Sequence, residues 1–272
     1  MRKLNIDIRP IGIESAIVDA PFDEALALLR QYNFELINLA QNAELRIHQG
    51  KDAHVSQNGN RVFEDIIYIP NKGNFLSLDY SPIAENAKQA TDASRQGREL
   101  YLDKEQTEKA LQDSVAFPDK TIEIPTNRFN SEKLTVKAFG RGDAKKAQDY
   151  GDFLREAGIN EMPVWVVEGS YMNNPQHEGR AFTRKVWLYR LDYDGRSYLD
   201  GDVRSLNYGS RTRGVRQSFS EAQTQKISGE KGELYDASQI NRYKQILQGV
   251  RSGEIPASQL EEVLSFVRSL GK

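Results

Sequence analysis

The chain has 272 residues, 38% hydrophobic and 28% charged, with 37 Lys and Arg against 39 Asp and Glu and no cysteine. A net charge of -2 supplies no global field that would draw the protein to nucleic acid or to an anionic membrane. The absence of thiols excludes disulfides, thiolate nucleophiles and thiolate zinc sites, while the length suffices to bury a sizeable core in one large domain or two small ones.

Residues 1–24 alternate apolar and charged types and contain no long apolar run of the kind that marks a secretory signal. No stretch approaches the length of a membrane span. The expectation is a soluble protein made in the cytoplasm, without direct membrane insertion. Display on a surface would need a route that these residues do not show.

Leu4 to Ile8 alternates with period two and predicts a strand ended by Pro10, with a second strand within Ile11 to Val18. Pro21-Phe22-Asp23 opens a helix through Ala25, Leu28, Leu29 and Tyr32. Phe34 to Ile47 fits either helix or strand, and Asn58-Gly59 reads as a turn. Ile66–Ile69 and Phe75–Leu78 predict short strands around the Asn71-Lys72-Gly73 turn. From Pro82 to Val115 the pattern is polar and helical, and Asp103 with Gln106 forms a capping box.

Thr121–Ile124 predicts a strand before Pro125, and Leu134–Phe139 predicts another. Gly140-Arg141-Gly142-Asp143 is a turn whose Asp143 caps a helix with an apolar stripe at Ala147, Tyr150, Leu154 and Ala157, ended by Gly158. Met162–Val167 is a continuous apolar run, as in a strand buried on both faces, so residues 133–168 read strand, helix, strand. Asp194-Gly195 and Asp200-Gly201 are hairpin-turn dipeptides. Beyond Phe219 a polar linker leads to a capping box at Asp236 and Gln239 and to two amphipathic helices. The chain therefore divides into a domain over 1–218, including an N-terminal extension, and a helical tail over 219–272.

Residue types that carry catalysis are sparse. His48, His54 and His177 are the only histidines, with no metal-pair spacing and no acid cluster around them, and no G-x-S-x-G elbow occurs. Asp192, Asp194, Asp200 and Asp202 lack the closing Glu of a calcium loop, and two turn dipeptides account for most of them. No catalytic residue, metal ligand or cofactor is assigned. The competing reading is an α/β enzyme or nucleotide-binding domain that presents the amides of the Gly140–Asp143 turn to a phosphate, although Asp143 itself would repel it.

The most informative stretch is Val186–Val215. Tyr189, Tyr193, Tyr198 and Tyr208, with Ser, Asn, Gly, Asp and Arg between them, make up the palette of a binding surface. Between Leu188 and Arg216 there is no Lys, Glu, Gln, Met or Trp. Those five types are the ones that an AAC or AAT codon cannot reach when only its adenines change. Every residue at the interleaved positions is reachable in that way: Leu188, Tyr189, Arg190, Asp192, Tyr193, Asp194, Gly195, Tyr198, Asp200, Asp202, Val203, Arg204, Ser205, Asn207, Tyr208, Gly209, Ser210 and Thr212.

Four segments carry a family resemblance: Ile124-Pro125-Thr126-Asn127-Arg128-Phe129, then Ala138-Phe139-Gly140, then Tyr150 to Val164, and the frame of Trp187, Leu191, Arg196-Ser197, Leu199, Gly201, Leu206, Arg211 and Arg213-Gly214-Val215. On these the chain, over about residues 60–216, resembles the archaeal variable proteins of diversity-generating retroelements. The resemblance implies an α+β, C-type-lectin-like domain of short strands and flanking helices. It further implies a non-enzymatic protein whose interleaved residues bind an unknown macromolecular ligand, most simply a protein. Trp187, Leu191, Leu199, Leu206 and Val215 would then be framework, and Arg196, Arg211 and Arg213 would hold loops through carbonyls or acids. The tail beyond residue 219 is a departure from many members of that family.

Overall fold

A computed structural model describes residues 5–7, 15–191 and 196–216. The predicted helical tail over 219–272 and the Asp194-Gly195 turn fall outside these residues.

The strands are β1 (Asn5–Asp7), β2 (Ser15–Ala20), β3 (Glu35–Leu36), β4 (Asn60–Ile69), β5 (Gly73–Ser77), β6 (Leu100–Tyr101), β7 (Ser114–Phe117), β8 (Ile122–Pro125), β9 (Glu161–Trp165), β10 (Phe182–Leu188), β11 (Leu199–Val203) and β12 (Ser210–Val215). Their main order is β1-β2-β12-β4-β10-β11-β9-β8. β5 pairs β4 and β7, β3 pairs β12, and β6 pairs β10. The domain's early strand β2 and its last strand β12 are antiparallel neighbours over their whole length, from Ser210 opposite Ala20 to Val215 opposite Ser15. The helices are α1 (Phe22–Gln31), α2 (Leu39–Gln49), α3 (His54–Gln57), α4 (Pro82–Glu85), α5 (Ala87–Arg95), α6 (Lys104–Gln112), α7 (Lys133–Gly140), α8 (Ala144–Glu156) and α9 (Gly169–Met172). None of the described helices is long and apolar enough to cross a membrane.

Local chemistry explains most of these boundaries. Pro21 precedes α1, Asp23 and Glu24 lie in its first turn, and Phe22, Ala25, Leu26 and Leu29 form its buried stripe. The ambiguous stretch after Phe34 resolves because Asn38 and Gln41 form a reciprocal capping box that starts α2. Asp103 and Gln106 do the same for α6, and the Asp143 carboxylate accepts from the Lys145 and Lys146 amides to start α8. The hairpin of β4 and β5 turns at Asn71, which has a φ of 61°.

Two expectations fail. Leu134–Phe139 is helical: Leu134, Thr135, Ala138 and Phe139 are buried at helical spacing, and α7 ends at Arg141 in the left-handed region with a φ of 50°. The β-branched Thr135 and Val136 favour a strand locally, but packing against α8 and α2 prevails. Residues 133–168 are thus helix, helix, strand, and the βαβ unit of the enzyme reading is absent. Asp200-Gly201 is not a hairpin turn either; it lies inside β11 beside an irregularity in the β10–β11 register. A Cβ at Gly201 would stand 2.8 Å from Ile66 Cγ1 and 3.0 Å from Phe117 Cε1, so this glycine lets the strand lie close to β4 and β7.

Glu64 is buried on β4, where its carboxylate accepts from the Leu39 amide at 3.0 Å and lies 3.5 Å from Arg141. Burial raises its pKa from the usual 4.5 to about 7, against the opposing pull of Arg141. With the folded value above the unfolded one, its contribution to stability is full at acid pH and is lost as the pH rises through about 7. Urea midpoints are expected to fall between about pH 5 and about pH 8, and Glu64→Gln is expected to flatten that slope.

Candidate ligand-binding surface

The sheet lines up one rung across six strands: Val18, Thr212, Arg61, Trp187, Asp200 and Trp165 are consecutive pairing partners on β2, β12, β4, β10, β11 and β9. The next rung carries Asn60, Leu188, Leu199 and Val164. β10 therefore ends, and β11 and β12 begin, at one end of the sheet. The connection from Tyr189 to Tyr198 leaves there, and the connection from Arg204 to Gly209 returns there.

The two connections are held by groups outside the interleaved set, and mostly through main chain. Arg61 is fully buried. Its guanidinium donates to the carbonyls of Ser205 at 3.0 Å, Ala20 at 3.3 Å, and Tyr208 and Ser210 at 3.4 Å, and to Thr212 Oγ1 at 3.4 Å. Burial lowers its pKa to about 10, so it stays cationic at neutral pH. Among the described residues no carboxylate pairs with it, and carbonyl dipoles offset its charge. Ser94 accepts from the Leu206 amide at 3.0 Å and donates to the Arg204 carbonyl at 2.9 Å, while the Phe22 amide donates to Leu206 O at 2.8 Å.

Arg46 does the same for the other connection. Also fully buried, it donates to the carbonyls of Tyr189 at 2.7 Å and Val55 at 3.2 Å and to the hydroxyl of Tyr150 at 2.9 Å. Tyr150 is packed between Phe139 and Phe129, and Phe129 closes the Ile124–Phe129 segment. Gly151 allows that segment to touch α8, since a Cβ there would meet Thr126 O at 2.2 Å. The resemblance-bearing words of the sequence thus form a wedge that positions Arg46. The Leu191 amide donates to Ser56 O at 2.7 Å, and the Tyr189 amide to Tyr198 O at 2.9 Å.

The interleaved residues do not all reach solvent. Arg190, Asp202, Ser205, Tyr208 and Gly209 are exposed, Tyr208 by 66%. Tyr189, Val203, Arg204, Asn207 and Ser210 are half-buried. Leu188 and Thr212 have no exposed surface, and Tyr198 and Asp200 are 6% exposed. Those four are corrected to interior positions: β10, β11 and β12 carry Leu188, Asp200 and Thr212 into the sheet, and the Tyr198 ring packs on Trp165. Leu188 joins the main apolar core, and burial raises the Asp200 pKa to about 6. Asp192, Tyr193, Asp194 and Gly195 lie outside the described residues.

Two of the three predicted loop-holding arginines do meet acids, Arg196 from within the first connection. Arg196 meets Glu123 at 3.2 Å and Arg211 lies 3.9 Å from Asp19, while Arg213 donates to Ser15 Oγ at 2.8 Å and to His54 Nδ1 at 2.9 Å. Of the framework residues, Leu191, Leu199, Leu206 and Val215 are buried, and Trp187 is half-buried. Farther along β10 and β11, Glu99 is bound by Arg184 at 2.7 Å, by Arg204 at 3.1 Å and by the Tyr171 hydroxyl at 2.7 Å; Arg184 also contacts Asp202. The arginines hold the Glu99 carboxyl below its usual range despite burial, which acts in the opposite direction. The amides at the start of α8 are taken by Asp143, so the Gly140–Asp143 turn offers little to a phosphate. Among the described residues no group of three His, Asp or Glu side chains is placed to hold a metal ion.

No family model and no curated protein matches the chain. A solved structure does, one presented as "Accommodation of massive sequence variation in Nanoarchaeota by the C-type lectin fold". The match covers 77% of this chain and 99% of that one, with a TM-score of 0.52 and 15% identity. The chain has a C-type lectin fold. In this fold the paired β2 and β12 bracket the chain between them, and the segment from Leu188 to Thr212 spans the two connections on either side of β11.

Proposed function

We propose that this C-type lectin domain is a non-enzymatic binding protein whose exposed residues between Tyr189 and Ser210 form a diversified surface for a protein ligand. One observation carries the reading: both connections are fixed by Arg46, Arg61, Ser94 and the Phe22 amide acting largely on main-chain atoms. Main-chain anchoring is indifferent to which side chains the connections bear. Tyr, Ser, Asn, Asp and Arg on a fixed backbone suit recognition of a protein surface, with rigid amphipathic area from the tyrosines and adaptable hydrogen bonding from the rest.

The missing Lys, Glu, Gln, Met and Trp between residues 188 and 216 supply the finer reading, a surface written by adenine-directed mutagenesis in an archaeal retroelement. Sequencing around the gene tests this. The reading requires a near-copy of the segment with AAC or AAT at the interleaved positions and a neighbouring reverse transcriptase. Lysine or glutamate at those positions in sister copies would sink it.

The binding surface itself is tested by two substitutions. Tyr208→Ala is expected to leave the melting temperature within about a degree, because the side chain is 66% exposed, and to weaken ligand binding about tenfold. Tyr198→Ala is expected to cost about 3 kcal/mol, because that ring is buried 4.5 Å from Trp165. Thermal unfolding and pull-down of a ligand selected against the wild-type surface measure both. Equal stability losses at the two positions would refute the division into exposed and interior sites.

A further inference from the structure

Beside Glu99 the domain has an open recess of about 900 Å³. This volume is in the range of ligand pockets. None of its lining residues belongs to the interleaved positions, so the lining itself is constant and only Arg204, which reaches Glu99 and Tyr171 from outside it, varies. One wall is aromatic, formed by Tyr101, Tyr171 and His177. His177 is 1% exposed, stacks on Phe182 at 4.7 Å and has Nδ1 3.0 Å from the Tyr101 hydroxyl, and the Tyr171 ring meets the imidazole edge-on at 4.9 Å.

The charges of the recess are unequal in availability. Its two carboxylates are engaged: Glu99 with Arg184 and Arg204, and Asp92 with Arg95 at 2.6 Å. Its cations are Lys88, Arg98 and Arg180, all exposed. Arg180 lies 3.9 Å over the Tyr101 ring and 3.5 Å from the exposed Glu178, and Arg98 donates to the neutral side chain of Gln96 and has no ion pair among the described residues. Among the described residues Lys88 has no ion-pair partner. The recess therefore offers positive charge above aromatic faces. It also borders the variable surface, because Arg204 bonds to Glu99 and to the Tyr171 hydroxyl, with its guanidinium 5.1 Å from the Tyr171 ring.

We propose that this recess is a constant subsite for a carboxylate-bearing stretch of a peptide or protein ligand, next to the diversified surface. The proposal rests on the binding-protein reading above and deepens it. The fixed recess takes a chemical feature common to many ligands, and the connections discriminate among them. Position 204 joins the two functions, since its side chain sets the charge on the shared wall.

The probe is a fluorescein-labelled, acetylated peptide of alternating tyrosine and glutamate, compared with its tyrosine–glutamine counterpart by fluorescence anisotropy with the full chain at low salt. Wild-type protein is expected to bind the glutamate peptide about tenfold more tightly. The double variant Lys88→Glu/Arg98→Glu changes two exposed side chains and is expected to erase that preference, with circular dichroism unchanged. Tyr208→Ala is expected to keep it. Equal binding of the two peptides by wild type, or a preference that survives the double charge reversal, overturns the subsite. Loss of the preference in Tyr208→Ala would place the acidic peptide on the connections and overturn it as well. The binding-protein reading stands or falls separately, on the selected ligand and the interleaved positions.

Discussion

Replacing Arg61 with alanine is expected to cost about 3–5 kcal/mol and to abolish ligand binding in the same step. The guanidinium spans five acceptors drawn from Ala20, Ser205, Tyr208, Ser210 and Thr212, so its loss leaves four carbonyls without this donor and removes the group that ties the 204–209 connection to β2 and β12. Urea unfolding reads the first effect. Limited proteolysis within 204–209 and ligand capture read the second. Arg61→Lys is expected to recover only part of the stability, because a single ammonium cannot reach acceptors arranged around a planar fork. Unchanged proteolysis of the connection in Arg61→Ala would show that the Ser94 and Phe22 anchors or the interleaved side chains hold it instead.

A second large effect lies beneath the sheet. Lys185 is completely buried, with Nζ 2.7 Å from Asp65 Oδ1, 2.8 Å from the Phe63 carbonyl and 3.0 Å from Ser81 Oγ. Asp65 also accepts from Ser81 Oγ at 2.7 Å and from the Ile83 amide at 2.9 Å, which joins β4 to the start of α4. Burial pulls the Lys185 pKa below its usual range while Asp65 opposes that pull. Lys185→Met is expected to cost about 3–5 kcal/mol because it leaves the Asp65 carboxylate buried and uncompensated. Lys185→Met combined with Asp65→Asn is expected to recover more than half of that loss in the same unfolding measurement. A double variant as unstable as the single one would mean that the network acts through the α4 cap rather than through charge.

What the sequence disclosed, and what it concealed, follow from the range of the forces involved. Capping boxes at Asp103 and the Asp143 cap are local, and both appear where residue spacing places them. The apolar run into β9 was legible because a strand covered on both sides has few polar positions. The helix at Lys133–Gly140 was not, because its helical state depends on packing against α8 and against α2, which lies far off along the chain. The candidate surface was legible as a composition, and its interior members were not. Leu188 and Thr212 carry the same codon signature as Tyr208, yet the pleat turns them inward. Arg46 and Arg61 were missed altogether, since nothing in the sequence distinguishes a buried arginine from an exposed one. The nearest signal was Arg61 at the head of an apolar strand, directly after Asn60.

The aromatic cluster under the first connection has an optical consequence. Trp165 and Trp187 are the chain's only tryptophans, and both lie within 6.2 Å of the Tyr189 ring, with Trp165 also 4.5 Å from Tyr198. All of the protein's indole emission therefore originates beside Tyr189. Substitutions at positions 189 and 198 are expected to change the colour and yield of that emission, and a ligand bound beside Tyr189 is expected to be followed by light without attaching a label.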